Sequence, residues 1–225
     1  MLPVHVGIIM DGNRRWAKLK GKHPWEGHRA GADTMRKILE HSDKLGVKHV
    51  TLYLWSLKND EGRSNEERKH IFDLILEFIK KFSNEAKKRE TRVRFLGRWE
   101  DSSIKDELKK IMNETEQFTK KSVNFCFMYD GQAEIIDAYN EMIEKGITKA
   151  DNETIKNHLY TKELPPLDLI IRTGMDDGKR LSGFMLWDAS YAELIFHDTY
   201  LPDYTTDMLE ADIQEFENRN RRFGK

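Results

Sequence analysis

The amino-acid sequence predicts an α/β fold built on a mainly parallel sheet flanked by helices, in a single domain spanning residues 1–225. Two observations carry this prediction. Short apolar segments alternate with segments of helical periodicity, which is the pattern of parallel strands joined by crossover helices. No internal repeat or low-complexity linker divides the chain, and its length suits one domain with a substantial core.

Six strand candidates follow one another along the chain. They cover residues 4–10, 50–57, 92–96, 123–128 and 167–172, with a short sixth at 194–196. The first, second and fifth are nearly continuous apolar runs, as expected for strands that are covered on both faces.

Helical patterns occupy the intervals between these strand candidates. The sequence predicts helices at 33–45, 102–120, 133–145 and 206–222, and one short helix within 148–166. Gly46 and Gly146 follow two of these segments, at the position where a glycine commonly ends a helix. The pair Pro165-Pro166 predicts a turn into the fifth strand.

One further helix carries an unusually broad apolar stripe. Ser64 and Glu67 form a capping-box pattern at its start. Apolar side chains then recur at helical spacing at Ile71, Leu74, Ile75, Phe78, Ile79 and Phe82, widened by Phe72 and Leu76. Periodicity alone favours a helix that faces the core. The other interpretation is that this face also lines a cleft for a hydrocarbon.

Composition excludes several classes of function. The formal net charge of −1 gives no global attraction for nucleic acid, so any anion site must be local. The single cysteine, Cys126, excludes an intrachain disulfide and a cysteine-rich zinc site, and its apolar neighbours predict a buried, inert thiol. No secretory signal begins the chain, and no apolar stretch approaches the ~20 residues that span a bilayer. We therefore expect a cytoplasmic protein that can still contact a membrane surface.

The segment after the first strand candidate is suited to a phosphate group. Ligands of open α/β sheets lie beyond the carboxyl ends of strands. A helix that begins after Gly12 would direct free backbone N–H groups at that point, and Arg14 and Arg15 can add charge-assisted hydrogen bonds. Asp11 would repel an anion unless Mg²⁺ bridges the carboxylate to a diphosphate. The alternative is that Asp11 is an N-cap and that both arginines are solvated.

A second cationic segment follows the fifth strand candidate. Arg172, Arg180 and Ser182 are able to surround a second diphosphate, and Glu193 is a second candidate carboxylate for the metal. The alternative is that Arg172 pairs with an aspartate at 176–177 and that Glu193 lies on the surface.

Several motifs in order along nearly the whole chain carry a family resemblance. They are Asp11-Gly12-Asn13-Arg14-Arg15-Trp16-Ala17, Gly27-His28-Arg29-Ala30-Gly31, Thr51-Leu52-Tyr53, Arg180-Leu181-Ser182, and the stretches 168–174, 184–196 and 218–224. Through them the sequence resembles the undecaprenyl diphosphate synthase family of cis-prenyltransferases. No aspartate-rich DDxxD motif occurs, which separates the chain from the trans-type synthases.

The resemblance implies a six-stranded sheet with a hydrophobic tunnel between sheet and helices, and Mg²⁺ as the cofactor. It implies that isopentenyl diphosphate is condensed with an allylic prenyl diphosphate, with release of diphosphate. The residues that the resemblance assigns to the allylic diphosphate are Gly12, Asn13, Arg14, Arg15, Trp16 and His28, with Asp11 on the metal. Those that it assigns to isopentenyl diphosphate are Arg172, Arg180 and Ser182.

The remaining implied roles concern the reacting carbons and a partner subunit. Ser56 and Asn59 match residues near the reacting carbons, so the implied catalytic residues are Asp11, Asn13, Ser56 and Asn59. The base that removes the final proton stays open between relays through Asn13 or Ser56 and a substrate phosphate oxygen. The family forms homodimers. Glu193 matches a glutamate that helps the metal, either in its own subunit or across the dimer, and the tail with Arg222 and Gly224 matches a motif that reaches the partner's active site.

The chain departs from the family pattern near the condensation site. Pro24 stands where many members carry an arginine, and the loops at 56–61 and 174–180 are longer. The segment 128–132 differs, and Leu54 is bulky where long-chain members have a small residue. These departures leave open a variant enzyme with an unusual primer or acceptor and a shorter product. A non-catalytic subunit of a prenyltransferase complex is a further alternative.

Overall fold

A six-stranded sheet, in which every pair of neighbouring strands is parallel, forms the centre of the molecule. The structure is a computed structural model that describes residues 1–219. The strands are β1 (His5–Ile9), β2 (His49–Ser56), β3 (Arg92–Leu96), β4 (Ser122–Tyr129), β5 (Leu169–Arg172) and β6 (Glu193–Phe196). Their order across the sheet is β3-β4-β2-β1-β5-β6. All six strand candidates are confirmed, and the sheet is parallel throughout rather than mainly so.

Helices connect these strands, as the alternation of patterns predicts. They are α1 (Asn13–Leu19), α2 (Pro24–Leu45), α3 (Leu57–Glu61), α4 (Asn65–Lys88), α5 (Lys105–Asn113), α6 (Gly131–Glu144), α7 (Asn152–Lys156) and α8 (Thr206–Asn218). The predicted helices at 133–145 and within 148–166 are confirmed as α6 and α7. Helix α8 confirms the last prediction as far as Asn218; residues 220–222 lie outside the described part of the chain.

The start of α2 differs from the prediction, because the helix begins at Pro24 and not at residue 33. Pro24 stands at the first turn, where its missing N–H costs nothing. His23 is the N-cap, and the Glu26 carboxylate accepts a hydrogen bond from the His23 backbone N–H at 2.9 Å. Two glycines in the first turns, Gly27 and Gly31, resemble helix breakers in the sequence and conceal this start.

The predicted helix at 102–120 is also wrong in extent, because α5 covers only Lys105–Asn113. The buried hydroxyl of Thr115 accepts a hydrogen bond from the Val93 N–H at 3.0 Å and contacts the Ile111 carbonyl at 3.2 Å. This contact with β3 ends the helix and turns the chain toward β4.

The capping prediction for α4 is half confirmed. Ser64 is the N-cap and accepts a hydrogen bond from the Glu67 N–H at 3.2 Å. The Glu67 carboxylate lies 3.5 Å from the Arg63 guanidinium, in an ion pair that the capping box does not include. This salt bridge ties the residue just before the cap to the first turn of α4.

Two apolar clusters cover the two faces of the sheet. One unites side chains of the sheet with α2, α4, α5 and α8, and the other covers the opposite face around Tyr53, Cys126, Ile170 and Phe184. The prediction of a buried thiol is confirmed, and burial raises the pKa of Cys126. Among residues 1–219, no helix combines the length and the apolar character needed to cross a membrane.

Candidate active site

A cavity of about 810 Å³ lies at the carboxyl ends of β1, β2 and β5. Its volume falls within the range of small-molecule sites. The polar wall includes Asp11, Gly12, Asn13, Arg14, Arg15, His28, Ser56, Asn59, Arg63, Asp130, Arg172, Arg180 and Ser182. The apolar wall, contributed by β2, α2 and α4, includes Leu54, Ala32, Met35, Ile71, Leu74, Ile75 and Phe78. The stripe of α4 therefore faces both the core and the cavity, which confirms the core-facing interpretation, while its use as a cleft for a hydrocarbon stays a prediction.

The turn from β1 into α1 depends on close backbone packing. Gly12 has a φ of 102°, and a Cβ atom there would lie 2.4 Å from the ring of Tyr200, so no larger residue fits. Helix α1 begins at the next residue, as predicted, with Gly12 rather than Asp11 as its N-cap. Asn13 packs against Gly31 of α2, and its buried Oδ1 has no hydrogen-bond partner. A buried acceptor without a partner is costly unless a ligand or water supplies one.

The Asp11 carboxylate connects the two predicted phosphate segments. One oxygen accepts hydrogen bonds from the Gly12 N–H at 2.7 Å and from Arg15 at 3.0 Å, and the other accepts from Arg172 at 3.0 Å. This contact follows from the sheet, because Ile9 and Arg172 are register partners on β1 and β5. The alternative of two solvated arginines does not hold for Arg15, whose guanidinium also pairs with Asp176.

Arg172 organises the second cationic segment. Its side chain is only 5% exposed, and it donates hydrogen bonds to Ser182 Oγ at 2.8 Å and to the Arg180 carbonyl at 2.5 Å. Its Nε is buried without an acceptor. The alternative pairing of Arg172 with an aspartate at 176–177 is wrong, because Asp11 is its carboxylate partner. Arg180 is the residue that pairs with Asp177, at 3.1 Å.

His28 is held as a neutral imidazole at the cavity wall. Burial above all, and then the positive charges of Arg63 and Arg14, lower its pKa to about 4. Its Nε2 is buried and has no hydrogen-bond partner. A neutral imidazole is able to donate a hydrogen bond from one ring nitrogen without carrying a charge. Together with Asn13 Oδ1 and Arg172 Nε, it makes this wall a set of unsatisfied polar atoms that a polar ligand would satisfy.

Arg63 is a cavity residue that sequence reasoning missed. Its side chain is 11% exposed, its guanidinium lies 4.7 Å from the centroid of the Trp55 ring, and its Nη1 has no hydrogen bond. Burial lowers its pKa, as expected for a cation that is partly removed from water. The only sequence signal is its place directly before the N-cap of α4, which does not indicate that the side chain turns inward over Trp55.

The end of β2 supplies two further predicted residues. Ser56 Oγ accepts a hydrogen bond from the Asn59 N–H at 3.1 Å and so caps the short helix α3. Both residues line the cavity. Beside them the Tyr53 hydroxyl donates to the Ser182 carbonyl at 3.3 Å, so the strand end touches the second cationic segment.

Two predicted residues do not reach the cavity within this chain. The Trp16 indole N–H donates to Asp203 at 2.8 Å. Glu193 lies at the amino end of β6, at the opposite edge of the sheet, and pairs with Arg219 at 2.9 Å. The predicted tail residues Arg222 and Gly224 lie outside the described residues.

The carboxylates at the cavity fit a magnesium ion only if the substrate completes the coordination. Among residues 1–219, no group of three or more histidine, cysteine or acidic side chains is arranged to hold a metal. Mg²⁺ is commonly bound by one or two carboxylates together with phosphate oxygens of a substrate. Asp11, at the head of the cavity beside cationic side chains, has the chemistry for this shared kind of site.

Comparisons with known proteins agree with this geometry. The family model described as "Putative undecaprenyl diphosphate synthase" matches residues 9–224. Tritrans,polycis-undecaprenyl-diphosphate synthase (geranylgeranyl-diphosphate specific) of Methanopyrus kandleri is 40% identical over 235 residues, covering 100% of this chain and 85% of the relative. Isoprenyl transferase of Fusobacterium nucleatum is 36% identical over 225 residues, covering 99% and 96%.

A solved structure has the same fold as this chain. Lavandulyl diphosphate synthase from Lavandula x intermedia, in complex with dimethylallyl diphosphate, has a TM-score of 0.93 at 26% identity, covering 100% of this chain and 99% of that one. The chain therefore belongs to the undecaprenyl diphosphate synthase family of cis-prenyltransferases, and its activity is that of a cis-prenyl diphosphate synthase.

Proposed function

We propose that the chain condenses isopentenyl diphosphate with an allylic prenyl diphosphate and releases diphosphate, with Mg²⁺ as cofactor. The observation that carries this proposal is the contact between Asp11 and Arg172 at the head of a cavity with an apolar wall. This contact brings the two cationic segments together. Two diphosphates bound there would hold the reacting carbon atoms of the two substrates close to each other.

The allylic diphosphate is assigned to the wall built from α1, α2 and the residue before α4. Arg14, Arg15, His28, Arg63 and the side-chain NH₂ of Asn13 supply the donors, and both His28 Nε2 and Arg63 Nη1 are buried without a hydrogen-bond partner. The hydrocarbon then extends along α2 and α4. The complex of lavandulyl diphosphate synthase with dimethylallyl diphosphate supports this use of the fold for an allylic diphosphate.

Asp11 would hold the magnesium ion together with the allylic diphosphate. When bound, the ion supplies positive charge to the leaving diphosphate. Arg14 and Arg15 add charge at the same place, where negative charge builds as the carbon–oxygen bond breaks. Because Asp11 already accepts hydrogen bonds from Arg15 and Arg172, it holds these guanidinium groups in place before substrate arrives.

Isopentenyl diphosphate is assigned to Arg172, Arg180 and Ser182. Arg172 is fixed by its bonds to Asp11, Ser182 and the Arg180 carbonyl, so its position does not depend on the ligand. Anchoring both diphosphates aligns C4 of isopentenyl diphosphate with C1 of the allylic substrate and converts a bimolecular reaction into a nearly intramolecular one.

The apolar part of the cavity is proposed as the tunnel for the growing chain. Leu54 on β2 faces it, opposite Ile71, Ile75 and Phe78 of α4. A bulky leucine reduces the space at this wall, which favours an earlier stop in chain growth. A second candidate function, a variant synthase with an unusual primer or acceptor and a shorter product, rests on this residue and on the carboxylate of Asp130 in the cavity. The alternative of a non-catalytic subunit of a prenyltransferase complex is disfavoured, because the motif from Asp11 to Arg15 is intact.

We further propose that the chain is one domain and forms a homodimer. We also propose that it is located in the cytoplasm and contacts the membrane when it releases its lipid product. Helix α6 exposes three large apolar side chains at helical spacing, Ile136, Tyr139 and Ile143, each more than half exposed. A second copy of the chain would cover such a stripe. Glu193 and the tail with Arg222 and Gly224 would then act at the partner's site, and light scattering in solution tests the dimer.

The decisive experiment is incubation with labelled isopentenyl diphosphate, Mg²⁺ and allylic primers of increasing length, followed by chromatography of the lipids. We expect incorporation that depends on a primer and that stops on chelation of the metal. An Asp11→Ala variant with an unchanged circular dichroism spectrum should lose it. Absence of incorporation with every primer would contradict the proposed substrates.

A further inference from the structure

Asp130 is a cavity carboxylate that the roles assigned above do not use. It follows β4 directly, at the carboxyl edge of the sheet, and is the N-cap of α6. Its Oδ1 accepts hydrogen bonds from the Gln132 N–H at 2.9 Å and the Ala133 N–H at 3.3 Å. These bonds fix the plane and direction of the carboxylate.

The second oxygen of Asp130 is free and faces the isopentenyl diphosphate segment. Within residues 1–219, Oδ2 accepts no hydrogen bond from the protein. A Cβ atom placed on Gly183, the residue after Ser182, would lie 2.8 Å from this oxygen. The Gly131 N–H also donates to the Gly183 carbonyl at 2.8 Å, so the start of α6 and this segment are held together.

Capping of α6 does not require a charge on this side chain. Asparagine or serine caps a helix about as well as aspartate and carries no charge. A carboxylate in the same cavity wall, next to Gly183, repels the anion that Arg172, Arg180 and Ser182 are proposed to hold. A negatively charged, basic oxygen in the cavity wall is able to accept a proton from a bound substrate.

We propose that Asp130 Oδ2 is the proton acceptor that completes the condensation, an inference that rests on the function proposed above. The electrons of the C3=C4 double bond of isopentenyl diphosphate form the new bond to C1 of the allylic substrate, and diphosphate leaves with the electrons of the C1–O bond. The electrons of the C2–H bond then form the C2=C3 double bond, and the proton passes to Asp130.

The location of Asp130 suits this step. C2 is separated from the diphosphate of isopentenyl diphosphate by one carbon, so its base must lie beside the residues that hold this diphosphate. Asp130 Oδ2 lies against the Ser182–Gly183 backbone, and the fixed Oδ1 prevents the carboxylate from turning away. A general base of this kind typically contributes 10²–10⁴-fold to the rate.

The test is the Asp130→Asn variant, which keeps the cap and the size of the side chain and removes the base. We expect kcat to fall by about 100-fold or more, while KM for both substrates changes little. Isopentenyl diphosphate deuterated at C2 should then show a primary isotope effect on kcat in the variant that exceeds that of the unaltered enzyme. If Asp130→Asn folds poorly, Asp130→Ser takes its place, because serine also caps the helix. The same fall in kcat and the same larger isotope effect are expected.

The matched control is Asp151→Asn at the N-cap of α7, away from the cavity, where Oδ1 accepts from the Thr154 N–H at 2.7 Å. It should leave kcat and the isotope effect unchanged. A folded Asp130→Asn enzyme with normal kcat, or with reduced kcat and no larger isotope effect, would overturn the role of Asp130 alone. Absence of condensation in the unaltered enzyme would instead overturn the proposed function, and this inference with it.

Discussion

The Asp11 carboxylate accepts a hydrogen bond from the Arg172 guanidinium at 3.0 Å, across the carboxyl ends of two neighbouring parallel strands. One of these strands leads into the segment assigned to the allylic diphosphate, and the other leads into the segment assigned to isopentenyl diphosphate. The ion pair therefore fixes the distance between these two segments. Pre-organised charge of this kind favours a reaction whose leaving group gains negative charge.

Replacing Asp11 by asparagine tests the centre of this arrangement. The variant keeps the size of the side chain but removes the charge that orients Arg15 and Arg172 and that would bind Mg²⁺. We expect turnover to fall by roughly 100-fold or more in steady-state assays over a magnesium titration. Asp43→Asn, which breaks ion pairs with Arg89 and Lys121 outside the cavity, serves as the control. Normal turnover in Asp11→Asn would refute the role of this carboxylate.

Arg63 is expected to bind the allylic diphosphate. Removing the charge in Arg63→Gln should raise KM for the allylic substrate by about tenfold, the effect of losing one charged hydrogen bond, and should change KM for isopentenyl diphosphate less. Arg36→Gln on α2, where the side chain pairs with Glu40 at 3.2 Å, is the matched control. Equal KM values for Arg63→Gln and Arg36→Gln would show that Arg63 has only a structural role, through Trp55 and Glu67.

The lowered pKa values of two histidines predict how the free energy of unfolding depends on pH. Burial is the main cause that lowers the pKa of His5 and of His28 to about 4, from 6.5 in the unfolded chain. Between these values the unfolded chain binds more protons than the folded one, so the free energy of unfolding should fall as the pH drops from about 6.5 to about 4. His197 does not contribute there, because Asp212 raises its pKa and its effect lies above 6.5.

Urea unfolding at a series of pH values measures this dependence. In His28→Gln one of the histidines with a lowered pKa is gone, while His5 and His49 remain, so the slope of the unfolding free energy between pH 6.5 and 4 should be shallower than in the unaltered protein. An identical slope in both proteins would contradict the assignment for His28.

Leu54 is expected to limit product length. Leu54→Ala enlarges the cavity beside the apolar face of α4, and we expect the product distribution to shift to longer prenyl chains on reversed-phase chromatography. Leu76→Ala is the control, because Leu76 is also partly buried but is not part of the cavity wall. If the products of Leu54→Ala match those of the unaltered enzyme, this wall does not set the length.

The features that could be predicted from sequence are those with a local signal. Short apolar runs separated by helical patterns mark the buried parallel strands, so the number of strands and their approximate bounds follow from the order of residues along the chain. The carboxyl ends of parallel strands meet at one edge, which places Asp11 near Arg172 once both are recognised as strand ends. The apolar stripe of α4 could also be predicted, because its helical periodicity is strong.

The features that could not be predicted depend on contacts between distant segments. Gly27 and Gly31 resemble breakers but lie inside α2, because Asn13 packs against them with almost no space for a side chain. Arg63 lies in the cavity wall with its guanidinium over the Trp55 ring, a contact with β2 that the local sequence does not indicate. Within one chain the register of Glu193 on β6 places it at the amino-terminal edge of the sheet, away from the cavity, which periodicity does not reveal.

The most direct test of the central claim is a crystal structure with Mg²⁺, isopentenyl diphosphate and an allylic thiolodiphosphate that resists cleavage. We predict one diphosphate on the Gly12–Arg15 turn with the metal on Asp11, the other on Arg172, Arg180 and Ser182, and the allylic tail between α2 and α4. A structure with either diphosphate bound elsewhere, or with the tail outside the cavity, would contradict the account.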